Sequence, residues 1–208
     1  MAWKRSGALI VGTAPAKVVD GLAQYGWTVQ LKPESVASVT EARTYIPPAW
    51  DERSTLTAML RYVRATAVFK CEDLADDLAH AAPLPTSPLS SIGGFINHLR
   101  WVEHGWFEHS FVGGPDRAPW TEDEPDRELS LGAEIPLGEA LAGYAEQAAI
   151  TDAIIAEHDL DDRAVWPLHD AGDHPTLRFV VLHMIEETAR HNGHLDILRE
   201  MLDGRTGE

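Results

Sequence analysis

The segment from Thr176 to Asp203 constrains this chain most. It holds apolar residues at helical spacing, follows Pro175 and stops before Gly204, as a long helix does. Within it, FVVLHMIEETARHNGHLDIL (Phe179 to Leu198) carries three histidines and two glutamates among Val, Leu, Met and Ile. On a wheel of about 100° per residue with His183 at zero, Glu187 falls near 40°, His191 near 80° and His194 near 20°. Val180, Met184, Leu195, Leu198 and Leu202 lie between roughly 60° and 120°, on the same side. Glu186, Arg190, Gly193 and Glu200 lie opposite. The stripe His183-Glu187-His191-His194 therefore runs along the apolar face.

A second helix is predicted over SIGGFINHLRWVEHGWFEHSFVGG, closed by Gly113 and Gly114. With His98 at zero, Phe95, Leu99, Val102 and Trp106 lie within roughly 40° to 100°. The same wheel turns Asn97, Arg100, His104 and Glu108 outward. His98 then borders the core and His104 faces water. His109 shares the side of His98, but eleven residues separate them, roughly 16 Å along the axis.

Two further helices are expected, over DERSTLTAMLRYVRATAVFKCEDL and PLGEALAGYAEQAAITDAIIAEHDL. The proline-rich stretch 81–90, the acidic stretch PDRAPWTEDEPDRELSLGAE and DRAVWPLHDAGDHP read as loops. Four long helices with long connections predict an all-α fold, a four-helix bundle over residues 51–208. Residues 1–50 differ. GALIVGTA and GWTVQLKP read as short strands with a helix, AKVVDGLAQYG, between them, a small α/β extension of unassigned role that ends at Pro47-Pro48. GTAPAK lacks the spacing of a phosphate-binding loop.

Seventeen Lys and Arg against 33 Asp and Glu give a formal charge of −16, which works against nucleic-acid binding. The basic residues Lys4, Arg5, Arg61 and Arg64 are too sparse to form a patch. No apolar run reaches the roughly 18 residues of a membrane span. The single cysteine, Cys71, allows no internal disulfide and reads as a buried small hydrophobe. A cytoplasmic protein is expected; the short apolar stretch after Lys4 and Arg5 is broken by Gly12, Thr13 and Pro15. A homodimer is compatible with the sequence, which does not fix the oligomeric state.

A carboxylate on an apolar face needs a partner or a metal ion, and no lysine lies in either histidine-bearing helix. Glu187 and His191, spaced i, i+4, can reach one ion together. With His98 from the second helix they would leave coordination positions open, as catalytic sites do. Nitrogen and oxygen donors suit Zn²⁺ first; Ni²⁺, Fe²⁺ or Mn²⁺ also fit. The bland reading is a hydrogen-bonded Glu–His pair.

SIGGFINHLRWVE together with HMIEETARHNGHLDILREMLDG resembles the DinB/YfiT-like superfamily of metalloenzymes over about residues 51–204. The similarity is greatest to the actinobacterial branch of mycothiol-dependent enzymes such as maleylpyruvate isomerase. It implies an up-down-down-up bundle with a divalent metal at one end. It also implies a ligand triad that falls on His98, Glu187 and His191. Many members have His where this chain has Glu187, and the isomerase-like branch has Glu. His183 reads as a core or supporting histidine. His194 is either a partner that orients a ligand or a group facing substrate, and it is the candidate catalytic residue.

The resemblance implies a metal-dependent enzyme of thiol chemistry, a transferase or isomerase. Its partners would be mycothiol or a similar low-molecular-weight thiol and a small-molecule electrophile, with neither nucleic acid nor membrane involved. Metal-assisted hydrolysis, with His194 as base, and a non-catalytic metal- or ligand-binding module are the competing readings. Trp101, Trp106, Trp120 and Trp166 read mainly as packing, and Glu122-Asp123-Glu124 as a solvated surface.

Overall fold

The computed structural model describes residues 2–5, 8–11, 28–30, 43–167 and 172–207. Three short strands, β1 (Ala2–Arg5), β2 (Ala8–Val11) and β3 (Thr28–Gln30), form an antiparallel sheet in the order β2-β1-β3. Two of these strands were expected and β1 was not. The helix expected over AKVVDGLAQYG, and GTAPAK, lie outside the described residues.

The helices are α1 (Glu52–Phe69), α2 (Asp76–His80), α3 (Ile92–Glu103), α4 (Arg127–Gly132), α5 (Leu137–Glu157) and α6 (Leu177–Asp203). α3 continues without a break into a π-helical segment, His104–Phe111. The four long elements α1, α3, α5 and α6 form the bundle. Their ends follow local chemistry. The Asp51 side chain caps the N-terminus of α1, Ser91 that of α3 and Thr176 that of α6, each accepting a backbone N–H. Gly204 closes α6 in the left-handed region at φ 76°.

Pairwise contacts fix the directions. Arg178 near the start of α6 binds Glu52 at the start of α1, and Arg199 near its end binds the Lys70 carbonyl just past α1. α1 and α6 are thus parallel. Arg53 reaches the Ile155 and His158 carbonyls, so α1 and α5 are antiparallel. Phe95 lies against His191 while Trp106 lies against His183, so α3 and α6 are antiparallel too. The order is up-down-down-up, as expected.

The core has two apolar clusters. One gathers Ala67, Phe95, Ile96, Leu99, Tyr144, Leu195 and Leu198. The other gathers Leu60, Val63, Phe107, Phe111, Val180 and Met184. A polar belt crosses the bundle between them. There Arg64 donates twice to Glu103, at 2.7 Å each, and once to Asp152 at 2.7 Å. Burial opposes the Arg64 charge, but Glu103 and Asp152 outweigh it and raise its pKa. Asn192 joins the belt by donating to the Val63 carbonyl. Cys71 is buried, as expected, and burial pushes its thiol up to about 12.

The outward placement of Asn97, His104 and Glu108 is corrected. All three are buried. Two physical causes account for it. α3 is covered on several sides, by α4, α5 and α6, so no face of it is simply wet. The π-helical pitch from His104 onward also breaks a wheel drawn at the α-helical angle. A second correction concerns the acidic stretch 115–134, expected to be loop throughout. Its later part is α4, docked on the first turns of α3. Gly93 and Gly132 meet backbone to backbone there, and a Cβ on either would overlap the other's carbonyl oxygen. That close approach carries Glu128 into the bundle.

α1 is also shorter than expected. It stops at Phe69, and the KCED that follows is turn, with Asp73 at φ 57°. No helix among the described residues is long and apolar enough to cross a membrane.

Candidate metal centre

His98 on α3 and Glu187 and His191 on α6 converge. One ligand atom from each lies within 4.8 Å of the others. His191 Nε2 is 3.1 Å from Glu187 Oε1, and His98 Nε2 is 3.5 Å from the same oxygen. The His98 and His191 rings meet edge to face at 4.8 Å. The three side chains are partly buried, near mid-length of α6 and beside the polar belt; the resemblance had implied an end of the bundle.

The protonation states suit cation binding. Burial alone would raise the Glu187 carboxyl. The charge of His191, hydrogen bonds from His98 and His191, and the charge of Arg190 outweigh it and hold the carboxyl below its usual range. His191 is pushed below its ordinary value, first by burial and then by the charge of His98, with Glu187 pulling the other way. An ionised carboxylate beside an unprotonated imidazole is the form in which these groups ligate metal. Two imidazoles and a carboxylate from two helices fit a divalent cation and leave room for another ligand.

Around the triad, Glu128 Oε1 lies 3.0 Å from His98 Nδ1 and leaves Nε2 turned toward Glu187. Nothing in the sequence pointed to Glu128, which stood in an acidic stretch and is buried only because of the glycine contact. His194 Nδ1 is 3.2 Å from His191 Nδ1. In a neutral pair one ring donates and the other accepts. With His191 Nε2 unprotonated for a ligand, its Nδ1–H donates to His194, whose own proton then sits on Nε2. That arrangement suits an orienting partner.

The remaining histidines lie elsewhere. His183 is flanked by Trp106 at 4.5 Å and by Phe179, outside the triad. His104 faces Glu108, and its Nε2 accepts from the Arg117 backbone N–H. His109 binds the Gly114 carbonyl. Trp120 packs over Gly105, whereas Trp166 is half exposed beside His109. Glu122, Asp123 and Glu124 are exposed, as expected.

Beside the triad a groove of ≈ 470 Å³ opens between the start of α3 and the second half of α6. Phe95 and His194 stand at the end nearest His191.

The sequence profile described as mycothiol-S-transferase matches residues 55–204, well over half the chain. The match takes in α1 from Thr55 onward, the other three long helices and every residue of the triad. It agrees with the resemblance to the mycothiol-dependent branch of the DinB/YfiT-like superfamily. No curated protein matches the chain.

Proposed function

We propose, since the chain belongs to the mycothiol-S-transferase family, that it joins the sulfur of mycothiol, or of a similar low-molecular-weight thiol, to a small electrophile. The convergence of His98, Glu187 and His191 carries the reading that it does so with a divalent metal. Zn²⁺ suits this donor set best.

His98, Glu187 and His191 would hold the ion. When bound, it would supply Lewis-acid polarisation of the thiol sulfur and so favour the thiolate. Glu128 keeps His98 in the tautomer that frees Nε2, and His194 does the same for His191. In this reading His194 orients a ligand; in the hydrolytic alternative it would act as base. The chemistry balances simply. The thiol S–H loses its proton to water, a carbon–sulfur bond forms, and the bond to the leaving group breaks with its electron pair. Phe95, packed on the His191 and His194 rings, shields that side of the triad from solvent.

Mass spectrometry of the products tests this. Purified protein reconstituted with Zn²⁺ should convert an electrophile to its thioether only when mycothiol is added. Conversion without thiol would favour hydrolysis. Tight binding without turnover under both conditions would favour a binding module.

A further inference from the structure

We infer that Trp106, Phe179 and His183 form a shelf that holds the sugar rings of the thiol cosubstrate, with Glu186 and Arg190 bonding its hydroxyls. The inference rests on the transferase reading and says how the non-reacting part of mycothiol is recognised. Mycothiol is a cysteinyl amide of an amino sugar joined to inositol, so most of its surface is uncharged polyol.

The shelf is built by α6 and by the π-helical run that follows α3. The Trp106 ring lies 4.5 Å from His183 and 6.2 Å from Phe179, and the Phe179 and His183 rings stack at 6.1 Å. Phe179 and Leu182 leave 47% and 50% of their surface exposed. Aromatic rings beside charged side chains suit a sugar. Its C–H groups pack on the electron-rich ring faces. Its hydroxyls donate and accept, so they pair with a carboxylate and a guanidinium alike.

A chain of contacts leads from the triad to the shelf. Arg190 Nη1 lies 3.5 Å from Glu187 Oε2, the same guanidinium binds Glu186, and Glu186 Oε2 lies 3.8 Å from His183 Nδ1. Glu186 and Arg190 are about half exposed. His183 precedes Glu187 by four residues, roughly 6 Å of helical rise, and Phe179 by eight, roughly 12 Å. The cysteinyl arm spans about 6 Å, since its amide unit alone covers about 3.8 Å. A sulfur beside the triad therefore brings the amino sugar level with His183 and inositol level with Phe179.

The other direction along α6 does not suit a polyol. Phe95 lies over His191 and His194, and beyond it stand Leu84, Leu89, Leu129 and Ile197, with Ser87 and Ser90 bonded to each other. Hydroxyls buried against such walls would go unpaired.

Saturation-transfer NMR with S-methyl mycothiol, in EDTA, tests binding apart from turnover. The sugar-ring protons should receive saturation. Phe179→Ala should abolish it and Phe179→Tyr, which keeps the ring, should restore it. Sugar protons without saturation, or saturation indifferent to Phe179→Ala, overturn the inference. So does self-association of the chain that Phe179→Ala abolishes while the sugar shows no saturation.

Turnover separates the two levels. With chlorodinitrobenzene as electrophile, kcat/KM for mycothiol relative to N-acetylcysteine, which lacks the sugar, should fall roughly three- to tenfold in Phe179→Ala. It should recover in Phe179→Tyr. A merely structural role for Phe179 lowers both thiols alike and leaves the ratio as it was. Phe179-dependent sugar saturation with no thioether formed sinks the transferase reading and leaves a sugar-binding shelf. Thioether formed with an unchanged ratio sinks the shelf and leaves the transferase.

Discussion

Glu128 Oε1 stands 3.0 Å from His98 Nδ1, and this partly buried pair links a connecting segment to the candidate metal centre. Partners of this kind fix the tautomer and aim of a ligand histidine; removing one typically costs about 10- to 100-fold in metal affinity. Glu128→Ala is expected to weaken Zn²⁺ by about that factor, measured by competition with a fluorescent chelator. Glu128→Gln should lose less, because its amide oxygen still accepts from Nδ1–H.

The parts of this arrangement were unequally legible. α6 could be read because Pro175, Thr176 and Gly204 mark its ends and a single apolar stripe runs its length. The stripe gave the facing of Glu187 and His191 directly. α3 was harder. Its burial on several sides and its passage into π-helix hide Asn97, His104 and Glu108, which an α-helical wheel turns to solvent. Glu128 was illegible because its burial depends on Gly93 and Gly132 touching, a contact between segments far apart in sequence. The Arg64–Glu103 pair was illegible for the same reason: each residue looks like an ordinary surface charge until the helices meet.

Glu187 separates ligation from simple hydrogen bonding. Glu187→Gln keeps the shape and an acceptor but removes the negative charge, so Zn²⁺ affinity should fall steeply. Glu187→His supplies a nitrogen donor and should retain the metal in a site one unit more positive. Thiol should then bind more tightly and turn over more slowly, because a thiolate of lower pKa is a weaker nucleophile. Isothermal titration with Zn²⁺ and steady-state kinetics would check both. Faster turnover with weaker thiol binding would refute the thiolate scheme.

Glu108 gives the fold an acid-sensitive contact. Burial pushes its carboxyl up, but a hydrogen bond from His104 and the charges of Arg117 and His104 outweigh this and lower it from 4.5. A carboxyl with a depressed folded-state value stabilises the fold above its unfolded value, and the contribution fades as pH falls through the folded value. Glu108→Gln should therefore destabilise the chain at pH 7, with the difference from the parent shrinking as the pH drops below about 4.5. Urea unfolding across that range, followed by circular dichroism, measures it. A difference that grows in acid would show that His104 and Arg117 do not act through the carboxylate charge.

The Arg64–Glu103 pair lies in the belt between the two apolar clusters, with both side chains almost wholly buried. Replacing one partner strands a charge, a loss of about 3–5 kcal/mol in comparable sites. Arg64→Met should fall in that range, measured by urea unfolding. The double variant Arg64→Met, Glu103→Leu should recover much of the loss, since well-packed apolar residues can replace a buried ion pair at little cost. Asp152 is partly exposed and can turn to water or to Arg61, 3.6 Å away. The double variant should keep its Zn²⁺ affinity, because His98 Nδ1 is held by Glu128 and neither substitution touches that contact. Loss of Zn²⁺ binding in a double variant that unfolds as cooperatively as the parent would mean that the belt sets the spacing of α3 and α6 at the triad as well as their stability.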